Sequence, residues 1–99
     1  MMHSILTIPV HPGAEDAFAE AFERLDVFGH AAGIPGFRGG VLLRPLDAGA
    51  PFLVHARWDD SAGYQAWLDA PIRAELNDAL GRYVAGVGSG SLYAEAVDR

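Results

Sequence analysis

The chain has 99 residues and a formal charge of −6, with thirteen acids set against seven arginines and no lysine. At 51% apolar and 20% charged it has the composition of a soluble globular protein, with room for one core, so residues 1–99 are expected to form a single domain. The acidic balance argues against nucleic acids and anionic membranes as partners, and zero cysteine excludes disulfides, thiolate nucleophiles, iron–sulfur clusters and cysteine zinc sites.

The first apolar run, His3 to Val10, is rich in branched residues and stops at His11-Pro12-Gly13, which predicts a strand and a turn. No basic region precedes it, Pro9, His11 and Pro12 break it, and no apolar run nears the roughly 20 residues that span a bilayer. Neither a signal peptide nor a membrane anchor is expected, and a cytoplasmic location is the default. From Ala14 the period changes. Phe18, Ala21, Phe22, Leu25 and Phe28 share one face, acids fill the rest, and Gly33 with Pro35-Gly36 ends the pattern, so one amphipathic helix is predicted.

Phe37 to Arg44 predicts a second strand, with a bulge or a close neighbour at Gly39-Gly40. Phe52 to Trp58 predicts a third, forming a hairpin with the second. Asp59, Asp60 and Ser61 are candidate helix caps before a short turn carrying Tyr64, Trp67 and Leu68. Pro71 opens a further helix whose buried stripe is Ile72, Leu76, Ala79, Leu80 and Tyr83. A glycine loop at Gly86, Gly88 and Gly90 leads to a last strand, Leu92 to Val97.

The order βαβ–βαβ gives the fold class: α+β, a ferredoxin-like split βαβ sandwich with a four-stranded antiparallel sheet and helices on one face. Nothing in the chain covers the other face. Phe52, Val54, Ala56 and Trp58 alternate with Leu53, so that face is partly apolar, and a homodimer is the simplest cover.

The turn His11-Pro12-Gly13-Ala14-Glu15 into a Phe-bearing helix resembles the antibiotic biosynthesis monooxygenase (ABM) family. So do Ile34-Pro35-Gly36-Phe37, the strand ending at Trp58 before two acids, and the run Tyr64-Gln65-Ala66-Trp67-Leu68-Asp69-Ala70-Pro71. The likeness extends from about Ile5 to Leu80. It implies a dimeric α+β barrel with an aromatic, polyketide-like substrate between sheet and helices. The activity it implies is cofactor-independent oxidation of a phenol or anthrone by O₂ to a quinone.

Trp58 and Tyr64 match pocket residues of the quinone-forming members, whose asparagine four residues before the tryptophan is Val54 here. Heme-degrading members have an iron-ligating histidine ten residues after a tryptophan matching Trp67, where this chain has Asn77. Their asparagine on the first strand has no counterpart either, which argues against heme degradation, and no cofactor is expected. The resemblance makes Trp58 and Tyr64 candidate catalytic residues, and Phe28, Phe37, Val54, Trp67 and Leu80 candidate substrate-binding residues. Both catalytic candidates have an ordinary alternative as core aromatics with polar tips.

Such chemistry needs a dry aromatic pocket, a base near the acidic proton and a donor for the developing oxyanion. Four histidines compete as base. His11 is expected in a solvated turn, and His3 near a fraying end. His55 is expected on the sheet face opposite Trp58, toward a partner subunit. His30, near the loop over the pocket mouth, is the choice if any is catalytic, though its place at a helix end is also favourable structurally. Only His11 with Glu15 and His55 with Asp59 pair nitrogen with carboxylate, so no metal is expected. The loop Gly86 to Ser91 lacks the lysine and helix of a phosphate loop. Two other functions stay open: a polyketide cyclase or isomerase on the same barrel, and a non-catalytic binding or structural module.

Overall fold

The computed structural model describes residues 1–99. Its elements are β1 (Met2–Ile8), α1 (Glu15–Arg24), α2 (Val27–Ala31), β2 (Phe37–Leu43), β3 (Phe52–Trp58), α3 (Ser61–Asp69), α4 (Pro71–Leu80) and β4 (Ser89–Ala94), with a 3₁₀ turn at Gly81–Tyr83. The strands form one antiparallel sheet in the order β2-β3-β1-β4, with the helices on one face. This is the expected ferredoxin-like α+β fold.

The register assigns each side chain to a face. Ser4 opposes Ala56 and Leu6 opposes Val54, so the even-numbered residues of β1 and β3 face the helices, where Phe52, Ala56 and Trp58 are buried. Phe18, Ala21 and Phe22 of α1 meet Phe52 and Leu80 in the main core cluster. In α4, Leu76 and Leu80 are buried as expected, whereas Ala79 is exposed beside that stripe.

Four local expectations need correction. The predicted first helix is two helices, because Asp26 adopts the left-handed conformation at φ 52° and ψ 50°. Aspartate tolerates that region better than most residues, so no glycine or proline marks the break. The segment expected as a short turn at Tyr64 is the full helix α3, capped by Asp60, whose Oδ1 accepts from the amides of Ala62 (3.0 Å) and Gly63 (3.4 Å). The last strand begins at Ser89 and ends at Ala94. Pairing with β1 draws Gly90 into it, and backbone ladder bonds there outweigh glycine's poor strand propensity. β1 ends at Ile8, and Val10 makes only an isolated bridge to Val84.

The expected irregularity at Gly39-Gly40 is present as a register shift between β2 and β3. Its reason is a close neighbour. A Cβ on Gly40 would come to 2.5 Å from the Phe28 ring, so glycine lets that ring approach the strand closely.

Candidate active site

Between the sheet and the helices lies a cavity of about 80 Å³ lined by 17 residues, 14 of them hydrophobic. β1 and β3 supply its floor, α1 and α2 one wall, and α4 and α3 the other. An unbroken series of aromatic contacts runs past it: Phe22–Phe28 (5.2 Å), Phe28–Phe37 (6.4 Å), Phe37–Trp58 (5.1 Å) and Trp58–Tyr64 (5.9 Å) between ring centroids. Three of these four pairs are edge-to-face, the arrangement favoured by ring quadrupoles.

Trp58 and Tyr64 both line the cavity, and so do Phe28, Phe37, Val54, Trp67 and Leu80. His30 does not. In α2 the cavity is met by Val27, Phe28 and Ala31, one side of the helix, and the His30 side chain is exposed on the other. His30 therefore lies outside the cavity that holds the other candidates. No other histidine, aspartate or glutamate lines the cavity either.

Trp58 carries a second correction. It is 1% exposed, and its indole Nε1–H donates to Ser4 Oγ at 3.0 Å, so that donor is committed within the protein. The hydroxyl hydrogen of Ser4, which also lines the cavity, remains to be donated. Sequence reasoning missed Ser4, although it is the one polar residue at the helix-facing positions Met2, Ser4, Leu6 and Ile8.

It also missed Arg73 and Asn77. Together with Ser4 these are the three non-hydrophobic lining residues. The available signal was helical spacing: positions 73, 76, 77 and 80 are one face of α4, and two of them are polar. Arg73 is half-buried and Asn77 exposed, so they form the rim, whereas Ser4 and Trp58 are buried at the floor.

Asp59 and Asp60 are structural. Asp59 holds Arg38 in a two-pronged pair at 2.6 and 2.7 Å, which keeps its carboxyl below the usual range, and Asp60 caps α3. The remaining imidazoles lie away from the cavity. His11 is exposed in its turn. His55 faces the uncovered side of the sheet, as alternation requires, but its contact is within the chain: its Nε2 lies 2.8 Å from His3 Nδ1. His3 Nε2 in turn lies 2.9 Å from a Glu95 carboxylate oxygen, so His3 is anchored in β1 rather than frayed. No group of three or more potential metal ligands is arranged to hold an ion.

A sequence profile of the family described as antibiotic biosynthesis monooxygenase matches residues 1–79. The chain belongs to that family. No curated protein matches its sequence. Among solved structures, SnoaB of Streptomyces nogalater, a cofactor-independent oxygenase, superposes with a TM-score of 0.81 at 24% identity, over 98% of this chain and 94% of its own. A MhuD mutant holding two manganese protoporphyrin IX molecules per active site gives 0.81 at 27%, over 100% and 98%. A conserved protein of Methanosarcina mazei gives 0.77 at 12%, over 93% and 89%. ABM membership supports monooxygenase chemistry in general terms. The SnoaB and M. mazei likenesses speak to the fold alone.

Proposed function

We propose that this ABM protein is a cofactor-independent monooxygenase that oxidises an aromatic, polyketide-like phenol or anthrone to a quinone, working as a homodimer. The carrying observation is a cavity walled by Phe28, Phe37, Trp58, Tyr64 and Trp67 in a chain of this family. Aromatic walls suit a flat ring substrate and exclude the water that would quench reactive intermediates.

In the proposed reaction the ionised substrate carbon gives one electron to O₂. The substrate radical and superoxide combine to a carbon-bound peroxide. Protonation and loss of water across the C–O–OH unit, with the hydrogen on that carbon, leave a new carbonyl. One oxygen atom enters the product and the other leaves as water. The hydroxyls of Ser4 and Tyr64 are the donors available to the growing oxyanion, while the indole of Trp58 holds Ser4 in place.

The residues present do not suit a porphyrin. No histidine lines the cavity, Asn77 occupies the α4 rim, and 80 Å³ is far below the size of a macrocycle. It is also below the roughly 150 Å³ of an engineered cavity that binds benzene, so even a flat phenol must displace wall side chains on entry. A cyclase or isomerase would use the same cavity and, like the oxygenase, would find no carboxylate or imidazole in its lining to accept a proton, so dependence on O₂ separates the two.

The test is O₂ uptake by metal-stripped protein with a panel of anthrones and naphthols, followed by mass analysis of product made under ¹⁸O₂. One labelled oxygen per quinone is expected. Product formed equally well under argon would replace the oxygenase with an isomerase. No product, with no ligand shifting the melting temperature, would leave a packed structural module.

A further inference from the structure

We infer that Arg73 is the anchor for an oxyanion of the substrate, either a ring carboxylate or an ionised phenol, and so sets the enzyme's preference for acidic aromatic molecules. The inference rests on the reading of the cavity as a substrate site and adds the charge of the molecule it takes.

Of the seven arginines only Arg73 and Arg99 have no partner, and of these only Arg73 lines the cavity. Arg24 pairs with Glu20, Arg38 with Asp59 and Arg44 with Asp16. Arg57 donates to the Arg38 carbonyl, and Arg82 lies over the Tyr83 ring. Arg73 forms no ion pair, side-chain hydrogen bond or ring contact, although the chain has thirteen carboxylate side chains against seven arginines. Instead its half-buried side chain meets an apolar cavity. A guanidinium beside apolar walls is attracted to a negative charge far more strongly than one in bulk water, and its fork fits two oxygens at once.

The neighbours agree with an anion. Asn77, one turn along α4, offers amide donors at the same rim, and Tyr64 a hydroxyl across the cavity. No acid lines the site to compete. The same absence means that the protein has no carboxylate or imidazole there to remove a proton. A fixed cation favours the ionised substrate without one, by lowering the pKa of a bound phenol.

The chain carries a reporter for this, because both of its tryptophans, Trp58 and Trp67, line the cavity. Tryptophan quenching would be titrated with 2-naphthoate, its neutral methyl ester and 2-naphthol. If the anchor binds a carboxylate, naphthoate binds about tenfold more tightly than the ester. If it binds a phenolate, bound naphthol ionises at lower pH than free naphthol. Arg73→Gln should abolish whichever effect is present and leave ester binding unchanged, while Arg73→Lys keeps part of it. Asn77→Asp, at an exposed position, should weaken it by placing a carboxylate beside the guanidinium. Neither effect in the wild type, or an effect that survives Arg73→Gln, overturns the inference. Failure of all three ligands to bind overturns it too. Anion preference that follows Arg73 without oxygen uptake would sink the oxygenase and keep the anchor.

Discussion

Ser4 and Trp58 show how one buried hydrogen bond shapes the site. Trp58 closes the floor of the cavity, and its indole N–H must find a partner once buried. Ser4 supplies it from the neighbouring strand, where a hydroxyl interrupts an apolar face. Trp58→Phe leaves the Ser4 hydroxyl buried without its donor, so a loss of about 1–3 kcal/mol is expected in denaturant unfolding. Ser4→Ala on top of Trp58→Phe should recover part of that loss, because no polar group is then stranded. A double-mutant cycle measures the coupling; strictly additive losses would mean the bond contributes nothing. Tyr64 differs, since its hydroxyl has no side-chain partner among the hydrogen bonds of the fold and is available to a ligand.

At the scale of elements, the cavity exists because the first helical segment is broken. Had α1 continued through Asp26, Phe28 would have lain about 120° round the helix from Phe22. The left-handed Asp26 turns α2 so that the Phe28 ring bridges Phe22 and Phe37 over Gly40. Gly40→Ala is therefore expected to displace that ring, at a cost of about 1–3 kcal/mol from overpacking. Its effect on ester binding in the tryptophan titration should exceed that of Ala79→Ser, an exposed change on α4. Equal effects at the two positions would show that Phe28 does not form a working wall. The helical face 73, 76, 77 and 80 was legible in the spacing, but an arginine and an asparagine at the edge of an apolar stripe have the same spacing as ordinary solvated residues. The turn at Asp26 had no such signal, because aspartate is common in helices and loops alike.

At the scale of the whole molecule, only 11 of 99 residues are buried, and the far side of the sheet is open. Val41 is 39%, Leu43 45% and Tyr93 56% exposed there, and β4 is exposed along its whole length. A second copy laid on this face would bury those side chains, which supports the proposed homodimer. Sedimentation should give twice the chain mass, and Leu43→Glu should shift it toward one chain; a wild-type monomer at micromolar concentration would refute the dimer. The Glu95–His3–His55 series lies on the same face and makes this measurement pH-sensitive. Burial, then the His3 and Arg57 charges, hold His55 below its usual 6.5, and the His3 hydrogen bond holds Glu95 below its usual 4.5. Both depressed values mean that stability present at neutral pH declines on acidification. His55 contributes to that decline from about 6.5 downward and Glu95 from below 4.5. Melting scans between pH 8 and 4 should follow that order, and His55→Gln should flatten the upper part.

The alternation of β3, the amphipathic spacing of α1 and α4, the Asp60 cap and the glycine bulge are local properties of the chain. Sequence alone determined the layered α+β architecture and the family likeness through them, because strand and helix periods say which side of each element must be buried. The family likeness also pointed to Phe28, Phe37, Trp58, Tyr64 and Trp67 of the cavity wall, though not to Phe22. What only tertiary structure decided was which polar groups meet that wall. Whether an imidazole on α2 points in or out, whether an indole N–H is already spent, and whether a guanidinium has found a carboxylate all depend on rotations and cross-strand neighbours. Those are set by packing over long chain separations, and no local pattern encodes them.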